Sequence, residues 1–401
     1  VAHSFRAPPG GVTIYLDYQA TTPLAPEAAA AMRPWLDEKF ANPHSAHKLG
    51  REAAAVVEVA RGQVLDALGF RSSRAKSRGA GTESSHTPLG FARDERGGGE
   101  RVPGNLYFTS GATEAANWAL KGSGAKRIVA LATEHACVLD TLEWLAAEGR
   151  DVDILPVSPD GLVDLALVEE RVTAETDLVA AMLVNNEIGV IQPVAEIARI
   201  ARAKGALFFC DAVQGFGRVP LPLEACDMVA LSAHKIHGPK GIGALWVREG
   251  VRLEPLLHGG GQEGGIRSGT LSPALCAGFG AAAALLGADG AHVERLWTIA
   301  REMMSGWSLN GAADARYHGN LNLRRDGIDA ARLISEVRDV AFSAGSACAS
   351  GSGRPSHVLA ALGLSDREAR SSIRLGFGRY TTEDELRTAL GLINAAAERQ
   401  A

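Results

Sequence analysis

The sequence predicts an α/β protein: a large unit built on a mainly parallel sheet, followed by a smaller α+β unit. Three observations carry this. Seven short apolar runs recur between Leu106 and Val247, most of them separated by helix-like stretches. Strands buried on both faces read as such runs, and their alternation with helices marks a parallel sheet. Hydrophobic residues make up 46% of the 401 residues and the net charge is −5, which excludes a wholly disordered chain and argues against a general nucleic-acid binder. Glycine is abundant, with 46 residues, but it lacks the one-in-three period of collagen. No run reaches the roughly 18 apolar residues of a membrane span.

Taken in order, Val1–Gly11 hold no basic stretch followed by an apolar one, so no secretory signal is expected. Leu49, Ala53, Val56, Ala60, Val64 and Leu68 recur at helical spacing, which predicts an amphipathic helix within Ser45–Leu68. Arg71–Gly104 is dominated by Ser, Gly and Arg and carries 7 Lys+Arg against 4 Asp+Glu. It has too little apolar surface to repay its ordering entropy, and is expected to be a disordered, solvated insertion. The expected strands are Leu106–Phe108, Ile128–Ala132, Val152–Pro156, Leu178–Val184, Ala206–Cys210, Met228–Leu231 and Ala244–Val247, with helices at Glu114–Lys121 and Val194–Lys204. Beyond about Gly287 the pattern becomes mixed. The expected division is residues 15–286 for the large unit, with 1–14 and 287–401 forming the small one. Five widely spaced cysteines without a CxxC pair argue against a disulfide framework or a zinc ribbon. Free thiols fit a reducing, cytoplasmic compartment, and no metal site is expected.

In a parallel sheet, ligands bind beyond the carboxyl ends of strands. The first run leads into Thr109-Ser110-Gly111-Ala112-Thr113-Glu114 and a helix, a setting for a phosphate or for ordinary N-capping. The second leads to His135, which could stack on a ring, move a proton or serve structure alone. Asn185-Asn186 follows the fourth run and could orient a ligand or form a turn. Asp211 follows the fifth, where it could bind a metal or pair with a cationic ring nitrogen, though no further carboxylate or histidine follows nearby to complete a metal site. Ser232-Ala233-His234-Lys235 follows the sixth, where a lysine is either solvated or a Schiff-base nucleophile. Each signal is weak alone. Together they are the parts of a pyridoxal phosphate site.

With these parts in place, the sequence resembles the cysteine desulfurases of the class V aminotransferase group. The matching stretches include YLDYQATTP (15–23), NPHS (42–45), TSGATEAAN (109–117), TEHACVLD (133–140), VNNEIGVIQP (184–193) and CDAVQ (210–214). They continue with SAHKIHGPKGIGALWV (232–247), HGGGQEGGIRSGT (258–270), SAGSACASG (343–351) and SSIRLGFGRYTT (371–382). The resemblance implies a fold-type-I pyridoxal-phosphate transferase that converts L-cysteine to L-alanine. It implies that Lys235 links covalently to the cofactor, Asp211 pairs with its ring nitrogen, His135 stacks on the ring and handles protons, and Gln214 bonds its ring hydroxyl. The backbone of Ala112, with Thr113, Ser232 and His234, would hold the phosphate, and Thr270 would reach it from the partner subunit of a homodimer. Arg374, Asn186 and Asn42 would bind the substrate carboxylate.

Cys348 would receive the sulfur as a persulfide and pass it to an acceptor such as an iron–sulfur scaffold protein. Its surroundings, Gly345–Gly353, are poor in large side chains, which suits a thiol that must travel. The sequence departs from the family at Gly264, where arginine is common, at Ala233, where glycine is common, and across Arg71–Gly104. A selenocysteine lyase, a class V aminotransferase and an inactive scaffold with the same fold are the competing readings. Cys348 argues against an aminotransferase, and intact Lys235, Asp211 and His135 argue against a scaffold.

Overall fold

The computed structural model describes residues 13–69, 102–345 and 356–400. All seven expected runs are strands of one seven-stranded sheet. The first strand of the chain, β1 (Ile14–Tyr15), lies outside that sheet. The sheet comprises β2 (Gly104–Thr109), β3 (Arg127–Leu131), β4 (Asp151–Leu155), β5 (Leu178–Met182), β6 (Leu207–Asp211), β7 (Met228–Ser232) and β8 (Gly243–Arg248), in the order β2-β8-β7-β6-β5-β3-β4. From β7 to β4 every neighbour is parallel, whereas β8 is antiparallel to both β7 and β2. The carboxyl ends of β2, β3, β5, β6 and β7 therefore share one edge, where β8 begins.

Successive residues of a strand face opposite sides of the sheet, and both sides are apolar here. Phe208, Cys210, Val229 and Leu231 pack with α2 (Lys48–Ala67), α6 (Val194–Ala203) and α7 (Pro273–Ala283), which surround them in chain order with α1 (Pro26–Asp37) and α5 (Leu165–Arg171). Phe209, Met228 and Ala230 pack with α3 (Ala112–Gly122) and α4 (Ala136–Ala147). The expected helix within Ser45–Leu68 begins at Lys48, because the His47 side chain accepts from the Gly50 N–H and caps it there. Gly243 permits a close backbone approach in this half. A Cβ on it would lie 2.5 Å from the Leu231 carbonyl oxygen and 2.7 Å from the Gly111 carbonyl carbon.

A second core forms around β9 (Ser308–Leu309), β10 (Asn320–Arg324), β12 (Ser343–Ala344) and β13 (Ser372–Gly376), an antiparallel sheet in the order β12-β13-β10-β9. It packs on α8 (Gly290–Met303), α9 (Ala330–Glu336) and α12 (Glu383–Glu398), through Leu296, Leu333 and Leu390 among others. The short helices α10 (His357–Ala361) and α11 (Asp366–Arg370) precede β13. β1 pairs in parallel with β11 (Val340–Ala341), and Leu16 joins the second core, so the start of the described chain is tied to its C-terminal part. Most of the expected insertion lies outside the described residues. Its last residues do not behave as expected of a solvated loop: Val102 packs against the first core and Gly104 opens β2.

Candidate active site

A cavity of about 520 Å³ opens where the strands end. Five strands feed it. β2 leads through Ser110 and Gly111 into α3, whose first turn has no side-chain cap. Free helix N–H groups and the helix dipole make that end receptive to an anion. β3 leads to His135, which caps α4 by accepting from the Cys137 N–H at 3.1 Å. β5 leads to Asn186, β6 ends at Asp211, and β7 ends at Ser232 ahead of a 3₁₀ turn, Ala233–Lys235. Ala112, Thr113, Gln214 and His234 also line it.

The smaller half contributes Arg374, from the middle of β13. It is only 1% exposed. Its Nη2 donates to Asp17 Oδ1 at 2.8 Å and its Nη1 to the Asn186 carbonyl at 3.1 Å, while its buried Nε has no partner among the described residues. A buried guanidinium with an unused N–H is suited to a planar carboxylate.

Electrostatics follow from burial. Desolvation pushes the Asp211 carboxyl above its usual range, although His135 and Lys235 pull against it. A positive group in the cavity would restore the carboxylate. His135 is held below the usual histidine range, chiefly by burial, with the Asp211 charge pulling the other way. His234 falls to about 4, first by burial and then by the charges of Lys235, Lys240 and Arg218. Its Nδ1 lies 3.1 Å from Thr21 Oγ1. Lys235 Nζ donates to the carbonyls of Gln19 at 2.6 Å and Ala20 at 2.8 Å. These two carbonyls and Asp17 lie in the YLDYQATTP stretch but had no assigned role. Backbone acceptors leave no mark on residue type, so only the fold reveals them.

Two expected residues stand apart. Asn42 is exposed and accepts from the His44 N–H at 2.9 Å, and its neighbours Pro43 and His44 line a different cavity. Thr270 is exposed and does not line the strand-end cavity of the single chain. Cys348 lies outside the described residues. None of the other four cysteines forms a disulfide among the described residues. A hydrogen bond with Cys226 and burial raise the Cys210 thiol, and burial pushes Cys276 up to about 12. Among these four, only Cys137 lines the strand-end cavity. Gly264 takes a positive φ of 70°, which glycine adopts freely.

Both halves, and the lysine, aspartate and uncapped helix start gathered at one sheet edge, define a fold-type-I enzyme of the pyridoxal-phosphate class. The family model "Aminotransferase class-V" matches residues 14–76 and 101–388, passing over most of the expected insertion. Cysteine desulfurase IscS of Rickettsia bellii is 43% identical over 399 residues, covering 95% of this chain and 90% of that protein. The same-named protein of Rickettsia akari is equally similar. Among solved structures, a NifS-like protein superposes with a TM-score of 0.83 at 31% identity, covering 96% of this chain and all of that one. A structure of SspA in complex with cysteine gives 0.77 at 32% identity, covering 92% and 100%. The chain belongs to the class V aminotransferase family and, within it, to the cysteine desulfurases.

No described helix is long and apolar enough to cross a membrane, and no group of three or more metal-ligating side chains occurs among the described residues.

Proposed function

We propose that the strand-end cavity holds pyridoxal phosphate and that the chain uses it to convert free L-cysteine to L-alanine, with Cys348 as sulfur carrier. The observation that carries this reading is the convergence of Lys235, Asp211 and His135 from three strand ends opposite the buried Arg374 of the other half. The donor set fits the group. The uncapped start of α3, with Thr113, Ser232 and His234, suits the phosphate, and the buried Asp211 carboxyl requires a cation such as a protonated pyridine. Gln214 would serve the ring oxygen, and the His135 ring its face.

When bound, the cofactor supplies an electron sink attached to the substrate nitrogen, and Lys235 is its covalent anchor. Arg374, which lines the cavity, receives the substrate carboxylate, with Asn186 beside it. The Lys235 amine would take the proton from Cα, a role suited to an amine whose stem is fixed in the short turn after β7. The Cys348 sulfur then bonds the substrate sulfur as the Cβ–S bond breaks. The bonding pair stays with carbon, which gains a proton and becomes the methyl group of alanine. The two sulfurs remain as a persulfide on Cys348.

Both flanks of the Cys348 segment adjoin the cavity. On one side, Ser343 of β12 pairs in register with Arg374. On the other, the Ser356 hydroxyl donates to Glu187, next to Asn186. A protein thiol, such as that of an iron–sulfur scaffold, would take the sulfur onward. Thr270, exposed in the single chain, suits a homodimer in which it completes the partner's phosphate site, and a cytoplasmic setting suits free thiols.

The test is direct. Purified protein should be yellow, and borohydride should abolish the band and fix the cofactor to Lys235 in a peptide map. L-cysteine should then yield alanine and sulfide in equal amounts under reducing conditions. Keto-acid formation would indicate an aminotransferase, and colourless protein would contradict the cofactor assignment.

A further inference from the structure

Gln214 is buried, lines the cavity and has both ends of its amide engaged. Its Nε2 donates to the Gln19 carbonyl at 2.9 Å. Its Oε1 accepts from Arg218 Nη1 at 2.6 Å. These partners leave no freedom to flip. A guanidinium has only donors, so the atom it meets must be the amide oxygen. A backbone carbonyl only accepts, so the atom it meets must be the nitrogen. With its oxygen held toward Arg218 and one N–H held by the Gln19 carbonyl, the remaining donor of Gln214 is its second N–H.

Arg218 holds more than Gln214. Its Nη1 also reaches the Gln214 carbonyl at 3.3 Å, and its Nη2 donates to the carbonyl of Lys235. Its guanidinium lies over the Tyr317 ring, 5.3 Å from the centroid. One planar group thus ties the helper amide, the backbone of the anchoring lysine and a ring from the loop before β10. Arg218 does not line the cavity, so it acts through its neighbours.

We propose that Arg218 is a positioning residue that locks Gln214 as an N–H donor toward the cavity, so that the pyridoxal ring oxygen is received as an anion. This rests on the reading that the cavity holds pyridoxal phosphate. A donor amide backed by a positive charge stabilises an anionic oxygen more than a neutral hydroxyl. A freely rotating amide would present its own oxygen half the time and repel the anion. The other titratable or charged groups around this position are Asp211, His135, Cys137, Lys235, His234 and Lys240 from the larger half and Arg374 from the smaller, with Tyr317 and His237 facing Arg218 itself. Of these, Lys235 is touched by Arg218 through its carbonyl, and His234 and His237 feel its charge.

The experiment follows the pH titration of the visible absorption band in the pyridoxal-phosphate-loaded protein, together with cofactor affinity measured on the apoprotein. Arg218→Met should move the titration midpoint upward by about one unit, a tenfold change in the balance of the two protonation states, and weaken cofactor binding several-fold. Arg218→Lys, which keeps the charge but not the planar fork, should fall between Met and wild type. Gln214→Glu, which removes the donor while keeping size, should shift the midpoint in the same direction. Combining it with Arg218→Met should add less than the sum of the two shifts. If Arg218→Met does not fold, the Lys and Gln214 variants carry the test. An unchanged midpoint in a loaded, folded Arg218 variant would overturn the proposal. A wild-type protein that takes up no cofactor would instead overturn the cavity assignment on which it rests.

Discussion

The two halves of the molecule serve the cavity in different ways. The larger half delivers Ser232, Asp211, Asn186 and His135 at or just beyond the carboxyl ends of parallel strands, so one sheet edge gathers many loops. Among the described residues, the smaller half delivers one side chain, Arg374, from the middle of an antiparallel strand whose five residues are all buried. A parallel sheet assembles reactive groups by topology. An antiparallel sheet supplies one rigidly held charge, fixed by Asp17 and the Asn186 carbonyl. For the described residues, the division predicts that the larger half governs cofactor binding and proton transfer and that Arg374 of the smaller half governs substrate capture.

The strongest way to break that division is Lys235→Ala. It should lower kcat by about 10²–10⁴-fold or more, with cofactor still retained noncovalently, as turnover assays and borohydride trapping would show. Arg374→Lys keeps the charge but loses the fork, and should raise KM by about tenfold, equal to about 1.4 kcal/mol, while leaving the visible band in place. If it discharged the cofactor instead, the two halves would not be separable in this way.

Gly243→Ala tests the packing that brings the α3 turn onto β8. The added methyl meets backbone atoms, and overpacking of this kind costs about 1–3 kcal/mol, visible as a lower Tm. Glu134 offers a smaller effect. Burial raises its carboxyl from 4.5 to about 8, while its Oε1 accepts from the Met182 N–H. The folded state therefore keeps a proton that the unfolded chain releases, and stability falls as pH rises from about 4.5 to about 8. Glu134→Gln should flatten that decline in a Tm–pH profile. Removing residues 77–100 should change alanine production least, within about twofold, because the family model matches the chain on both sides without them.

Much of the larger half was legible from sequence, because strands buried on both faces read as uninterrupted apolar runs. Lys235, Asp211 and His135 were legible by their position after such runs. The smaller half was not. Its strands β9 and β12 and the neighbouring β11 have two residues each, too few for any period to show. Arg374 lies in a buried strand where composition gives no reason to expect a charge, and only the family resemblance pointed to it. Asp17, Gln19 and Arg218 were missed because their work is done by pairing or by carbonyls, which residue type does not advertise. Asn42 shows the converse: a motif residue that the fold of the single chain leaves outside the cavity.

The central claim is that sulfur leaves L-cysteine for Cys348. The most direct measurement is the intact mass of the loaded protein after a brief exposure to L-cysteine, followed by peptide mapping. One added sulfur on the Cys348 peptide, lost on thiol reduction and matched by one alanine, is the expected result. Alanine and sulfide formed at an undiminished rate by Cys348→Ala, with no sulfur on that peptide in the wild type, would contradict it.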